Sequence, residues 1–386
     1  MNNYSQNIHC TMKKFFLAAV AAMVLIPAIN AQEGVQQEKR YNMYGVMFYN
    51  LENLFDTINN NGTYDLEFSP NGARQWDGRK YWSKVRRMAY AISQMKTQNT
   101  PMGPAIIGVC EIENITVLDD LVHDPQIRNW HLQIAPYHDS GDRRGVDVGV
   151  LYNPRYFTVL NVTNQRLSEE DFERAAAAAD PARKMEYEWN ENFRTRDQIC
   201  VVGTLAGDTV AVMVNHWPSR LGGQEASSPK REAAGFMCRR TIDSLVNVHG
   251  ENIGIIFMGD LNDDPMDKAC AESVGGKRNI EDVIAPGDMF NPFWNILARG
   301  VGTLAYRGQW NLFDQIMCSS YFTKYRDGKD KPQLTFVRAE ALNRDFLKTQ
   351  EGDRKGYPLR TFSAGVFLDG YSDHFPTEIF LVKEAQ

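Results

Sequence analysis

The run ICVVGTLAGDTVAVMVNHW, Ile199 to Trp217, decides how the rest of the chain is read. It holds two stretches rich in β-branched residues, with Gly207-Asp208 between them, the pattern of a hairpin. Its second half ends in polar residues, within the stretch VNHWPSRLGG (Val214 to Gly223). Further apolar runs have strand length: YGVMFYN (44–50), AIIGVCEIE (105–113), VDVGVLYN (146–153), IGIIFMGDLN (253–262), FDQIMCSS (313–320), SAGVFL (363–368) and EIFLVK (378–383). Helical spacing appears in Ser83 to Met95, through Val85, Met88, Ile92 and Met95. A second helix is expected to start at Ser228-Pro229 and to carry Ala234, Met237, Cys238, Thr241 and Leu245 on one face. Residues 164–197 read as a charged, alanine-rich helical excursion, and residues 59–78 as a long Asn/Gly-rich loop. Strands interspersed with helices, two of them joined by a hairpin, point to mixed sheets in an α/β protein rather than a purely parallel sheet.

The N-terminus belongs to a different class of segment. Met12-Lys13-Lys14 precedes the apolar run FFLAAVAAMVLIPAI (15–29), and Ala28-Ile29-Asn30-Ala31 offers a small-residue cleavage site. This is the form of a secretory signal peptide over 1–31, with translation starting at Met1 or at Met12. The apolar run is shorter than the roughly 20 residues a membrane span needs, so no span is expected. The expected product is exported to the periplasm or the extracellular space, with a short extension at 32–43 and one domain at 44–386. Nothing in it calls for an obligate protein partner, and a monomer is expected.

Cys10 precedes the apolar run and is not placed for lipid attachment. Cys110, Cys200, Cys238, Cys270 and Cys318 are odd in number and lack metal-type spacing, so they read as small buried apolar groups. The formal charge is −6, and loss of the leader would remove Lys13 and Lys14 and no acid. Such a chain is not steered to polyanions by its overall field. A phosphate ester substrate would need a cation or a local basic patch.

The polar residues fall at strand ends: Asn50 and Glu52, Glu111 and Glu113, Asn215 and His216, Asp260 and Asn262. Asp314 opens one run, and Asp373-His374 precedes the last. Ends of successive strands meet at one sheet edge, and converging carboxylates repel unless a cation lies among them. Oxygen ligands without cysteine favour hard ions: Mg²⁺, with Mn²⁺ or Ca²⁺ also admitted.

FYNLENLFD, GVCEIEN, GVDVGVLYNP, VNHWPSR, GDLNDDP, FDQIM and SDHFP, in that order, resemble the endonuclease/exonuclease/phosphatase superfamily with the deoxyribonuclease-I-like fold. The resemblance runs from about Tyr44 to the C-terminus. NLENLFD with Phe68-Ser69-Pro70 and Trp76 resembles secreted bacterial members. It implies a four-layer αββα sandwich of two mixed sheets flanked by helices, with the site at one edge, and metal-dependent phosphoester hydrolysis.

It also implies roles. Glu111 corresponds to the metal-ligand glutamate, although Cys110 stands where most relatives have glutamine. Asp373 would face the metal and Asn50 would support metal or phosphate. His374 would be the general base, with Asp314 orienting it. Asp260 would orient the attacking water, Asn262 would hydrogen-bond the phosphate, and His216 would donate to a phosphate oxygen or the leaving group, its rival reading being a core histidine that caps its strand. Asn215 serves either strand-end packing or the phosphate, and Arg220 is either a surface charge or a phosphate contact, its forked donors suiting two oxygens. Arg143 and Arg144 form either a basic patch on a nucleic-acid backbone or a polar hairpin tip. Glu52 and Glu113 are either supports of the site or plain surface acids. The leading function is an exported nuclease. The alternatives are a phosphatase or phosphodiesterase on lipid head groups, inositol phosphates or small esters, and, last, a binding module without catalysis.

Overall fold

The computed structural model describes residues 39–58, 66–306, 308–323 and 333–385. The leader expected at 1–31, Cys10 and residues 59–65 of the Asn/Gly-rich loop lie outside the described residues.

The chain enters on β1 (Tyr41–Leu54), so the sheet takes in the last residues of the expected extension. There follow β2 (Ile106–Ile112), the short β3 (Gln133–Ile134), β4 (Asp147–Tyr152) and β5 (Phe157–Gln165). The hairpin β6 (Gln198–Leu205) and β7 (Asp208–His216) comes next, then β8 (Gly254–Asp260). Its turn is Ala206-Gly207, one residue earlier than expected. Both turn residues have positive φ, 50° and 86°, as a turn that matches strand twist requires. Short strands β9 (Gly276–Lys277) and β10 (Met289–Phe290) precede a small hairpin, β11 (Leu304–Tyr306) and β12 (Gln309–Asn311). The chain closes through β13 (Asp314–Ser319), β14 (Thr335–Ala341), a second small hairpin and a last long strand. That second hairpin, β15 (Phe362–Ser363) with β16 (Val366–Phe367), replaces the single strand expected over 363–368, and the long strand is β17 (Thr377–Glu384).

Two sheets result, in the orders β14-β17-β1-β2-β4-β3 and β5-β6-β7-β8-β13-β10-β9. Both are mixed: β1 runs parallel to β2 and β7 to β8, and the neighbours of these pairs are antiparallel. Strand alternation assigns side chains to three apolar layers. Val46 and Phe48 of β1, with Ile106, Val212, Ile256, Ile316 and Ile379, fill the space between the sheets. Met47, Tyr49 and Leu51 face outward beneath the helices Gly78–Ser93 and Ile115–Val122. Ala211, Met213, Ile255 and Phe257 face outward from the second sheet, beneath the helices Glu169–Ala178 and Gln224–His249. The order is helix, sheet, sheet, helix. Each fully buried aliphatic or aromatic side chain contributes on the order of 1.5–3 kcal/mol.

Two local devices bear on the site. The helix Gln224–His249 starts a turn before the expected Ser228-Pro229 cap. Ser227 Oγ donates to the Gly223 carbonyl at 2.6 Å and Arg231 to the Gln224 carbonyl at 3.0 Å, so the turn ahead of Pro229 is held by side chains. The Phe68–Trp76 segment fastens the end of β1: Phe68 stacks on Phe55 at 4.8 Å, and the Trp76 indole N–H donates to the Phe55 carbonyl at 2.9 Å. The excursion 164–197 is only partly helical, with the helix at 169–178 and a 3₁₀ turn at Pro181–Glu186. Its Phe172 and Tyr187 join the outer core of the second sheet. All five cysteines of the described residues are free and buried, in keeping with an apolar role.

Candidate active site

The parallel pairs β1/β2 and β7/β8 end at the same edge of the molecule, while the antiparallel β13 and β17 begin there. Register fixes the neighbours: Asn50 lies opposite Cys110, His216 opposite Asp260, and Asp314 opposite Asp260. Strand ends are then bent to aim their side chains. Register shifts interrupt the β1/β2 and β2/β4 pairings at Asn50–Leu54 and Cys110–Ile112. Glu52, Asn53, Glu111 and Asn262 take left-handed φ values of 47°, 52°, 58° and 51°. Such positions cost of order 1–3 kcal/mol each and gather at functional sites.

The centre of the cluster is Asp260, buried at the end of β8. Its Oδ2 accepts from Asn50 Nδ2 at 3.0 Å and lies 3.8 Å from the Nε2 of both His216 and His374. The other oxygen accepts the Asn262 backbone N–H at 3.0 Å. His374 Nδ1 donates to Asp314 Oδ2 at 2.7 Å, which fixes the ring and turns Nε2 towards Asp260. Glu111 Oε1 lies 3.8 Å from His216 Nε2 and 3.6 Å from Arg144, and its Oε2 accepts the Asn53 backbone N–H at 3.0 Å. The Asn262 amide donates to the Trp217 carbonyl at 3.0 Å.

The surroundings push the proton affinities of the two histidines in opposite directions. Burial, followed by the nearby Arg196 and Arg144, takes His216 well below its ordinary value, so it is neutral. Burial also works against charge on His374, but Asp314 and Asp260 outweigh it and raise His374 well above the usual range. Burial, with Asp314 and Glu111 nearby, pushes Asp260 up to about 6, although His374 pulls the other way. Two titratable groups pushed apart by their surroundings are the pattern of an acid–base site.

The structure brings together Glu111, His216, Asp260, Asn262, Asp314, His374 and Arg144. Three expectations need correction. Asn215 does not reach the cluster, because neighbours on a strand point to opposite faces. Its oxygen instead takes hydrogen bonds from Gln198 at 2.8 Å and Cys238 at 3.2 Å beneath the outer helix. Arg220 is spent on the protein: it donates to the Asn262 carbonyl, Gln224, Asp263 and Asp267, and lies over the Phe313 ring. It organises the loop after β8 rather than presenting a fork to phosphate. Asn50 offers its nitrogen, not its oxygen, to the centre, because its oxygen accepts the Glu52 backbone N–H at 2.8 Å. It therefore supports Asp260 rather than supplying a metal donor. Arg143 donates to the Asn192 carbonyl at 3.1 Å, tied into the 190s loop.

Asp373 sits at the rim in an ion pair with Arg360 at 2.8 Å. Arg360 also meets Glu52 at 3.2 Å. Glu52 is buried, accepts the Thr361 N–H at 2.6 Å, and lies 3.8 Å from the buried Lys84. It is thus part of the site, raised to about 7 by burial and then by Asp373. Glu113 caps Asp56 N–H at 2.7 Å and supports the end of β1. Arg360 and Lys84 are residues that sequence reasoning missed. Lys84 sits on an amphipathic helix where a lysine reads as surface, and Arg360 lies in a loop without periodicity.

The donor set fits a hard divalent cation. Carboxylate oxygens of Asp260 and Asp314 lie within 4.8 Å of each other and of a His374 ring nitrogen, with Glu111 close by through His216. Asp314 Oδ1, buried, has no hydrogen-bond partner among the described residues. Clustered buried carboxylates with an unpaired oxygen call for positive charge.

The sequence matches the endonuclease/exonuclease/phosphatase family over residues 45–383. Among curated proteins, none matches the chain. Two similar solved structures come from Bacteroides thetaiotaomicron. One is described as an endonuclease/exonuclease/phosphatase family protein, with 16% identity, a TM-score of 0.50, and coverage of 90% of this chain and 100% of that one. The other is described as a mannosyl-6-phosphatase, also at 16% identity and a TM-score of 0.50, covering 88% of this chain and 99% of that one. They share the two-sheet fold found here. With the fold, the buried acid–histidine edge and a match across nearly the whole described chain, this protein belongs to the endonuclease/exonuclease/phosphatase family and is a phosphoester hydrolase.

Proposed function

We propose that the chain is an exported, divalent-cation-dependent hydrolase of small or terminal phosphoesters, using water held between His374 and Asp260. The observation that carries this reading is the His374–Asp314 clamp at 2.7 Å, which leaves Nε2 facing the acidic centre. His374 takes the proton of the attacking water at Nε2, and Asp314 holds the ring and stabilises the imidazolium that forms. Asp260 accepts the second hydrogen of the same water and sets its direction. Neutral His216 donates one N–H to a phosphate oxygen, and Asn262 keeps one amide hydrogen free of its bond to Trp217 for another. A bound divalent cation, held by Glu111 and the neighbouring acids, would neutralise the phosphate and the leaving oxygen.

Small esters are favoured over internal positions of a duplex because the expected basic track is spent. Arg144 faces Asn53 and Glu111, Arg143 the 190s loop, and Arg220 three aspartates. The nuclease expectation therefore rests on family membership rather than on a local basic surface. The test is a panel of duplex and single-stranded DNA, RNA, sphingomyelin, inositol phosphates and a chromogenic diester, run with Mg²⁺ on the protein lacking its leader. Mannose 6-phosphate joins the panel because one protein of the same fold is described as a mannosyl-6-phosphatase. Turnover of a small ester with nucleic acids left intact supports the reading. Efficient cleavage of DNA or RNA, with the small esters untouched, overturns it.

A further inference from the structure

Beside the acidic centre lies a cavity of about 220 Å³ whose lining includes Glu52 and Asn53, the latter bonded through its N–H to Glu111. Its walls carry Arg74, Arg354 and Arg360 and the rings of Phe68 and Phe362. The lip is the β15–β16 hairpin, turning at Ala364-Gly365 with φ 48° and 82°. Three guanidinium groups thus meet at one small cavity, two of them in ion pairs with Glu67, Glu52 and Asp373. Arg74 is laid over Phe362 at 5.0 Å and Phe68 at 5.9 Å, which fixes its plane, and Glu67 meets it from behind at 2.7 Å. Lys80 and Arg79 pack over Phe362 and Phe367 from the adjoining helix. Arg354 is exposed and donates to a neutral partner, the Ser363 hydroxyl at 2.9 Å. Arg360 bridges the cavity to the centre through Glu52 and Asp373.

We propose that this cavity is a subsite for a second anionic group, carried by the substrate next to the phosphate that is hydrolysed. The proposal rests on the hydrolase reading above and adds the substrate class: an ester bearing two anionic groups, the second a phosphate, sulfate or carboxylate. Size supports a substituent rather than a whole ligand, since drug-sized ligands occupy roughly 300–1,000 Å³. Guanidinium groups fixed on aromatic faces suit oxyanions, which accept two parallel N–H bonds from one fork. Glu67 pairs with Arg74, and Glu52 and Asp373 pair with Arg360, so the guanidinium left without an acidic partner among the described residues is that of Arg354, which donates to the Ser363 hydroxyl.

Two measurements test the assignment. Inorganic sulfate is titrated calorimetrically into the protein in excess chelator, as wild type and as Arg354→Ala; Arg354 is exposed, so the variant is expected to fold, which circular dichroism checks. Sulfate should bind the wild type, and Arg354→Ala should weaken it about tenfold, the loss of one charge-assisted contact. Separately, kcat/KM is compared for a sugar monophosphate and the matching bisphosphate. The bisphosphate-to-monophosphate ratio should exceed one in wild type and fall about tenfold in Arg354→Ala. Equal sulfate affinity in the two proteins, or a ratio unmoved by the substitution, overturns the subsite. Sulfate binding does not depend on turnover, so absence of all hydrolysis would overturn the hydrolase reading while leaving the subsite to stand or fall on the titration.

Discussion

At the scale of single residues, the proposed mechanism makes the protonation of His374 the event that sets the rate. Burial disfavours its charge, yet Asp314 and Asp260 hold its proton well above the ordinary range, so the neutral base appears only as pH rises. The rate on a small ester should therefore climb with pH, with its half-point above about 6.5. Asp314→Asn removes the acid that holds the proton. Its pH–rate profile should move its half-point downwards while the plateau falls by about 10²-fold or more, the scale of lost general-base catalysis. An unshifted half-point would place the base elsewhere. His374, Asp314, Asp260, His216 and Glu111 were legible in the sequence because each is a polar residue ending or opening an apolar run. Asn215 was misread because adjacent strand residues face opposite ways, and only one of Asn215 and His216 can face the site. Arg220 was misread for another reason: its partners Asp263 and Asp267 lie more than forty positions away, and nothing local announces them.

At the scale of elements, the loop after β8 is held by the helix Gln224–His249. Arg231, wholly buried, meets Asp263 at 2.7 Å and Ser227 Oγ at 2.8 Å. Burial already pushes Asp263 up to about 7 against the pull of Arg231. Arg231→Met should cost about 3–5 kcal/mol by denaturant unfolding at pH 8, because it strands a buried carboxylate. The raised folded value means stability contributed at Asp263 falls as pH rises from about 3.9 through about 7. The penalty should therefore shrink at pH 5, where Asp263 protonates, and the double variant with Asp263→Asn should recover most of it. A loss independent of pH would mean the arginine acts through packing alone. Strands with dense β-branched runs were legible. β14 was not, since its TFVRAEA sequence is half-exposed and charged, and two-residue strands such as β9 leave no periodic signal. The helix start was misplaced because the turn ahead of Pro229 depends on Arg231 and Ser227.

At the scale of the whole molecule, two mixed sheets carry their functional ends to one edge, and hydrogen bonding joins them there through Asn50 and Asp260. The layer order followed from the family resemblance; the apolar runs alone gave strands but not their pairing, because register is set by partners across the sheet. The acidic balance and the spent arginines predict that kcat/KM on a small ester varies weakly with salt between 50 and 200 mM, far below the roughly 10³–10⁵ loss seen where many phosphates are contacted. A steep salt dependence would restore a nucleic-acid surface. The direct measurement is phosphoester turnover by the chain without residues 1–31, after exhaustive chelation and again after Mg²⁺ is returned. Turnover should be lost on chelation and restored by Mg²⁺; an unchanged rate in the chelated protein would mean that this edge works without a divalent cation.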